Sequence, residues 1–209
     1  MTKFVVVRHG ETVWNAQGRI QGHLDSPLNH EGLAQAELLG DHLAHESFDA
    51  VYCSDLGRTR QTIQPYMQRT GVQPVLCSRL RERHLGVLQG LTAKEGAARF
   101  PDVYARFHAR EVEYAVPEGE SIRDVFERTR SRFEDLAAAH PGQSLLVITH
   151  GGILDVLNRF VRATPLDHSR DFTVYNASIN RIGCEKGTWA IERWGDISHL
   201  TRDAALDDF

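Results

Sequence analysis

The chain has 209 residues and a formal net charge of −4, a length that suits one large domain and a charge that argues against a nucleic-acid partner. Its three cysteines form no CxxC pair, which argues against a disulfide framework and against a thiolate zinc site. The chain has no signal-peptide pattern and no apolar run of membrane-spanning length, so we expect a cytoplasmic protein without a membrane partner.

The first predicted strand covers residues 4–7, where a phenylalanine precedes three β-branched valines. It ends at Arg8-His9-Gly10, and a polar loop over residues 11–28 follows. A loop of this length is uncommon unless it has a function. A helix capped by Asn29 comes next, and its apolar residues recur at helical spacing in Leu33, Ala36, Leu39 and Leu43.

Two further strands are predicted over residues 50–53 and 75–77. Residues 54–62 open a helix between them, and its first turn can hold an anion through free N–H groups and the positive end of the helix dipole. Residues 84–118 carry no strand pattern, and glycines and prolines divide them into turns and short helices. We interpret this segment as an insertion that covers the functional site.

The second half of the chain contains the clearest helix, which begins near Gly119 and ends at residues 140–142. The remaining predicted elements are a strand over 145–149, a helix over 153–161 and two strands around 178–184 and 189–194. Alternating strands and helices with an antiparallel end predict one domain over residues 1–209. Its expected fold is α/β, a three-layer α/β/α sandwich with a mostly parallel central sheet.

Two of the predicted strands end in the same dipeptide, His9-Gly10 and His150-Gly151. In open α/β sheets, ligand sites gather at the carboxyl ends of the strands. A lone histidine at such a position is most simply a surface residue. Two of them, each followed by a glycine, suggest that two imidazoles converge on one site.

The candidate chemical groups are two arginines, two histidines and one carboxylate: Arg8, His9, Arg58, Glu82 and His150. The planar guanidinium of arginine matches phosphate oxygens in a two-pronged geometry, and a histidine can itself attack phosphorus. The sequence contains no HExxH motif, no paired Asp-x-Asp and no carboxylate cluster, so we predict neither a metal nor a cofactor. Phosphoryl transfer depends mainly on positioning and on charge neutralisation, which suits this set.

Several motifs in order resemble the histidine phosphatase superfamily, the phosphoglycerate-mutase-like clan, from residue 4 to about residue 200. Four separate motifs in the family's order are a more specific signal than one Arg-His-Gly. The matching stretches are residues 8–12 with Trp14-Asn15 and 18–22, then Ser54–Thr62, Leu80–Gly86, Pro117–Ser121 and Thr149–Gly152.

By this resemblance, His9 carries the phosphoryl group in a covalent intermediate. Glu82 protonates the leaving alkoxide and then acts as base on the incoming water. Arg8, Arg58 and His150 would surround the phosphoryl oxygens. The expected substrate-binding residues are Arg8, Thr12, Asn15, Gln21, Gly22, Arg58 and Gly151. Two simpler interpretations stay open: an ion pair of Glu82 with Arg81 or Arg83, and a solvated helix residue at Arg58. We expect Arg60 to be such a solvated residue.

The choice between phosphatase and mutase depends on groups that would grip a phosphoglycerate. The cofactor-dependent mutases of the family have Asn, Tyr and Lys where this chain has Gly152, Leu85 and Ala93, and only Ala109-Arg110 approaches their double arginine. We therefore predict a metal-independent phosphomonoesterase that acts on a small phosphorylated metabolite, as a monomer or homodimer. A 2,3-bisphosphoglycerate-dependent mutase is the alternative, favoured by residues 82–84 and 88–90, and a non-catalytic phospholigand-binding module is a third.

Overall fold

A computed structural model describes residues 1–200. Its central sheet has the strand order β3-β2-β4-β1-β5-β6. The strands are β1 Thr2–Arg8, β2 Ala50–Cys53, β3 Val75–Leu76, β4 Ser144–Thr149, β5 Ile179–Glu185 and β6 Thr188–Asp196. The first four pair in parallel, while β5 is antiparallel to β1 and β6 to β5. The mostly parallel sheet with an antiparallel end is therefore confirmed.

The helices are α1 Val13–Ala16, α2 His30–Leu43, α3 Gly57–Thr70, α4 Ala93–Arg99, α5 Pro101–His108, α6 Ile122–Ala139 and α7 Gly151–Arg162, with short 3₁₀ turns at Ser78–Leu80 and Gly86–Leu88. As predicted, the segment 84–118 contains short helices and no strand. The predicted loop 11–28 is interrupted near its start by α1, which Thr12 caps. Thr12 also forms an isolated β-bridge with Leu28.

Alternate side chains of the strands enter two apolar layers, as strand geometry requires. Phe4 and Val6 of β1 pack with residues of α6 and α7, whereas Val5 and Val7 pack with residues of α2 and α3. This is the predicted α/β/α sandwich. Leu33, however, is 51% exposed, although it belongs to the apolar series at helical spacing in α2. It lies about 90° around α2 from the centre of the buried stripe.

The pairing of β1 with β4 positions the site. The two strands are parallel and in register, with Arg8 opposite Thr149. His9 and His150 therefore leave the sheet side by side at its carboxyl edge, and the His9 N–H donates to the Thr149 carbonyl at 3.0 Å.

Two glycines allow α2 to pack directly against the loop that follows β1. A Cβ atom on Gly10 would lie 2.7 Å from the Gly32 oxygen, and one on Gly32 would lie 1.9 Å from the Glu11 oxygen. Both distances are too short for a side chain, so this close approach requires glycine at both positions.

We expect Gly32→Ala to destabilise the protein by roughly 2 kcal/mol. A methyl group only 1.9 Å from a backbone oxygen should cost about 3 kcal/mol, the upper end for overpacking, and helix propensity offsets about 1 kcal/mol of that. Urea unfolding measures the change, with Ala34→Ser at an exposed position of the same helix as the control. A Gly32→Ala protein as stable as the wild type would contradict this packing.

Candidate active site

His9 is a buried imidazole whose two nitrogens have different environments. Its Nδ1 lies 2.8 Å from the Gly10 carbonyl oxygen. A carbonyl can only accept, so Nδ1 carries the proton and Nε2 keeps its lone pair. Burial lowers the pKa of His9 well below the usual 6.5, and the nearby charges of Arg58 and Arg8 lower it further. The ring is therefore neutral at pH 7 and can act as a nucleophile.

His150 packs edge-on against His9, with the ring centroids 5.3 Å apart. Its Nε2 lies 2.8 Å from the Ser54 hydroxyl, while its buried Nδ1 has no hydrogen-bond partner within residues 1–200. Burial, followed by the charge of Arg58, also lowers the pKa of His150 well below 6.5. Ser54 follows β2 within one of the matching motifs, but no role was predicted for it from the sequence.

Two arginines bring positive charge into the buried site. Arg8 donates to the Val174 carbonyl at 2.6 Å, and Arg58 donates to the Gly22 carbonyl at 2.8 Å. Their side chains are nearly inaccessible to solvent. Burial lowers the pKa of Arg58, yet a guanidinium remains charged in proteins. Two fixed cations therefore lie near two neutral imidazoles.

The buried Glu82 carboxylate is held by backbone groups. Its Oε2 accepts the Gly152 N–H at 2.9 Å, and its Oε1 accepts the Arg83 N–H at 2.8 Å. The alternative of an ion pair with a neighbouring arginine is not found: Arg81 pairs with Asp55, and the Arg83 side chain donates to backbone carbonyls. The Glu82 side chain lies on the cavity wall.

These side chains surround a cavity of about 450 Å³. The predicted site residues on its wall are Arg8, His9, Asn15, Gln21, Gly22, Arg58 and Glu82. His150 and Thr12 are not part of the wall. His150 is buried against the His9 ring, and the buried Thr12 hydroxyl donates to the Asn15 carboxamide oxygen at 2.8 Å. Gly152, and not Gly151, reaches the cavity at this end of α7.

The predicted anion site at the start of α3 is wrong. The carboxylate of Asp25 accepts the N–H groups of Gly57 and Arg58 there. Asp25 therefore satisfies the helix terminus in place of a ligand. Arg60 is exposed, which confirms that it is a solvated residue.

Apart from Leu85 and Arg110, which the comparison with the mutases singled out, the far wall of the cavity was not found from the sequence. It is largely apolar and is formed by Ile20, Leu85, Phe107, Ile122, Val125 and Val156. Charged groups also reach it, among them Arg110, which donates to the buried Asp155 carboxylate at 2.7 Å. These residues come from loop 11–28, segment 84–118, α6 and α7, and no local pattern distinguishes them from ordinary core residues.

Neither a metal cluster nor a membrane span was found in the part of the chain that the structure describes. Within residues 1–200, no three histidine, cysteine, aspartate or glutamate side chains are grouped closely enough to hold a metal ion. No helix there is long and apolar enough to cross a bilayer.

A family model for the histidine phosphatase superfamily, branch 1, matches residues 4–197. The chain belongs to the histidine phosphatase superfamily. It is 38% identical to a metal-independent phosphoserine phosphatase of Arabidopsis thaliana, over 96% of this chain and 84% of that protein. It is 39% identical to phosphoglycerate mutase-like protein 4 of the same plant, over 98% and 89%. The solved structure of Bacillus stearothermophilus YhfR matches with a TM-score of 0.88 at 33% identity, over 96% of this chain and 100% of that one.

Membership in this superfamily confirms the family and fold predicted from the motifs. It also supports an enzyme with phosphatase or mutase activity, which argues against a non-catalytic binding module. The names of the relatives divide between the two activities. The choice between them therefore depends on the site itself.

We expect two buried neutral histidines, His9 and His150, to make the protein less stable as the pH drops below 6.5. In the unfolded chain each histidine takes up a proton near pH 6.5, whereas folded His9 and His150 do not until a lower pH. Between these two pH values the unfolded state binds more protons, so each such histidine lowers the free energy of unfolding by up to about 1.4 kcal/mol per pH unit as the pH falls.

Urea unfolding at pH 8, 6 and 5 measures this dependence. His9→Asn should flatten the curve below pH 6.5 by up to about 1.4 kcal/mol per pH unit. His45→Asn, at an exposed position, is the matched control. Parallel curves for the wild type and His9→Asn would mean that folded His9 takes up its proton as readily as an unfolded histidine.

Proposed function

We propose that this enzyme is a metal-independent phosphomonoesterase that passes the phosphoryl group of a small phosphate ester to His9 and then to water. The observation that carries the proposal is the state of the His9 ring. The His9 Nδ1–H donates to the Gly10 carbonyl, and burial lowers the pKa of the ring. His9 lines the cavity together with Arg8 and Arg58. A neutral, oriented Nε2 lone pair is what attack on phosphorus requires.

The arginines would stabilise the transferring phosphoryl group. Charge spreads over its three equatorial oxygens in the transition state, and fixed cations in a water-poor site interact strongly with that charge. Arg8 and Arg58 supply these cations. His150 can add a donor: if the Ser54 hydroxyl donates to Nε2, the Nδ1 proton is left for a phosphoryl oxygen.

Glu82 would manage the protons of both steps. In the first step the His9 Nε2–phosphorus bond forms, the ester oxygen–phosphorus bond breaks, and protonated Glu82 gives its proton to the leaving alkoxide. In the second step the Glu82 carboxylate takes a proton from water as the water oxygen attacks phosphohistidine. The His9 Nε2–phosphorus bond then breaks and inorganic phosphate leaves, so that His9 is free again and Glu82 is protonated again.

Three features of the cavity support water as the acceptor. Gly152 offers only its N–H, which Glu82 already accepts, and Leu85 presents an apolar side chain to the cavity. Arg110, which a phosphoglycerate could otherwise use, donates to Asp155. A dephosphorylated product would therefore be held weakly and leave before it could be phosphorylated again.

The covalent step is tested by trapping the phosphoenzyme. With EDTA present, labelled substrate followed by a denaturing quench should place the phosphoryl group on His9. His9→Asn should reduce turnover by at least about 10³-fold, because no other group supplies the nucleophile. His30→Asn, at an exposed position, is the control. Label on another residue, or activity that requires an added metal ion, would overturn the mechanism.

The choice of acceptor is tested with 3-phosphoglycerate, with and without 2,3-bisphosphoglycerate. Phosphate release should exceed formation of 2-phosphoglycerate by at least about tenfold in both cases. One missing charge-assisted contact of about 1.5 kcal/mol is enough for a tenfold weaker hold on the product. Isomer formation that the bisphosphate raises well above phosphate release would establish the mutase alternative.

A further inference from the structure

The Glu82 side chain is held by two N–H groups, but the backbone that carries it belongs to no helix or strand. Residues 81–85 follow the 3₁₀ turn Ser78–Leu80 as an irregular segment. Backbone carbonyls in such a segment need partners from elsewhere when they are removed from water. The position of the carboxylate therefore depends on groups outside this segment.

Arg128 of α6 donates to two carbonyls of this segment and to one in the preceding 3₁₀ turn. Its Nη1 donates to the carbonyl oxygens of Arg79 and Arg81, each at 2.9 Å, and its Nη2 donates to that of Glu82 at 3.3 Å. The Arg128 side chain is only 19% exposed. One rigid guanidinium thus ties the segment to the middle of a long helix.

Glu120 completes the arrangement from the other side. Its carboxylate accepts from Arg128 Nε at 3.0 Å and from Nη2 at 2.9 Å, a two-pronged pair that fixes the guanidinium plane. It also accepts the His84 N–H at 2.8 Å, and its own N–H donates to the His84 carbonyl at 2.9 Å. The chain is therefore held on both sides of Glu82.

Gly119 permits this contact between the two backbones. A Cβ atom there would lie 2.5 Å from the His84 oxygen and 2.9 Å from the Gly86 nitrogen. Residues 117–121 form one of the matching motifs, yet none of them lies on the cavity wall. Gly119 and Glu120 instead contact the segment that carries Glu82.

We propose that Arg128 and Glu120 are positioning residues that aim the Glu82 carboxyl group at the leaving oxygen of the substrate. The inference rests on the proposed acid–base role of Glu82. A misplacement of about 1 Å in a reacting group can cost about 10²-fold in rate. The loss should fall on the proton transfer, and therefore on substrates whose leaving group needs a proton.

The test compares Arg128→Lys with the wild type on two esters, an alkyl phosphate and p-nitrophenyl phosphate. Rapid-quench measurement of phosphoenzyme formation isolates the first step. An alkoxide needs a proton in the transition state, whereas p-nitrophenolate does not. We expect Arg128→Lys to slow the first step by about 10- to 100-fold on the alkyl ester and by less than about threefold on the aryl ester.

The matched control is Arg130→Lys, on the same helix, where the arginine is exposed and pairs with Glu127. It should leave both rates unchanged. Glu82→Gln should show the same dependence on the leaving group, and Arg128→Lys added to Glu82→Gln should cause little further loss on the alkyl ester, because both changes affect one proton transfer.

Equal losses on both esters in a stably folded Arg128→Lys protein, or full additivity with Glu82→Gln, would overturn the proposal. If Arg128→Lys does not fold, Glu120→Gln gives the same test, since its amide keeps one acceptor and nearly the same volume. A wild type without a phosphohistidine on His9 would instead disprove the proposed function, so the two failures are distinguishable.

Discussion

The parallel pairing of β1 with β4 is the contact on which the site depends. It places His9 and His150 at adjacent strand ends, and the register of Arg8 with Thr149 fixes their relative height. A slip of one residue would turn all β1 side chains, Arg8 included, to the opposite layer. The two apolar layers resist such a slip, because alternate residues of β1 are buried in each of them.

The same architecture buries the positive charges of Arg8 and Arg58 in the site. Removing a guanidinium from water is costly unless hydrogen bonds compensate. Carbonyl groups provide part of that compensation: Val174 for Arg8, and Gly22 for Arg58. Asp25 offers Arg58 a partial counter-charge at 3.2 Å. The same two buried guanidinium groups match the charge and the oxygen geometry of the phosphate group in the proposed substrate.

The walls of the cavity are joined by polar contacts between segments that are distant in the sequence. Gln89 accepts the His23 N–H at 2.7 Å, and Arg19 pairs with Glu95 at the same distance. These contacts link loop 11–28 to segment 84–118. On the opposite side, Arg128 and Glu120 hold the chain around Glu82. The position of Glu82 and of the loops on the cavity wall thus depends on contacts between segments that are distant in the sequence.

The sequence by itself determined the strands, most helices, the family and the central set of residues near 8–9, 58, 82 and 150, because periodicity, caps and short motifs are local signals. The tertiary structure decided the rest. It brought the Asp25 carboxylate to the N-terminus of α3, where it accepts backbone N–H groups, and it placed Ser54 against His150. It left Leu33 on the surface. It also formed the apolar wall of the cavity and the contacts of Arg128. Each of these depends on which distant segments meet or on how far a helix turns toward the core, and a local pattern does not contain that information.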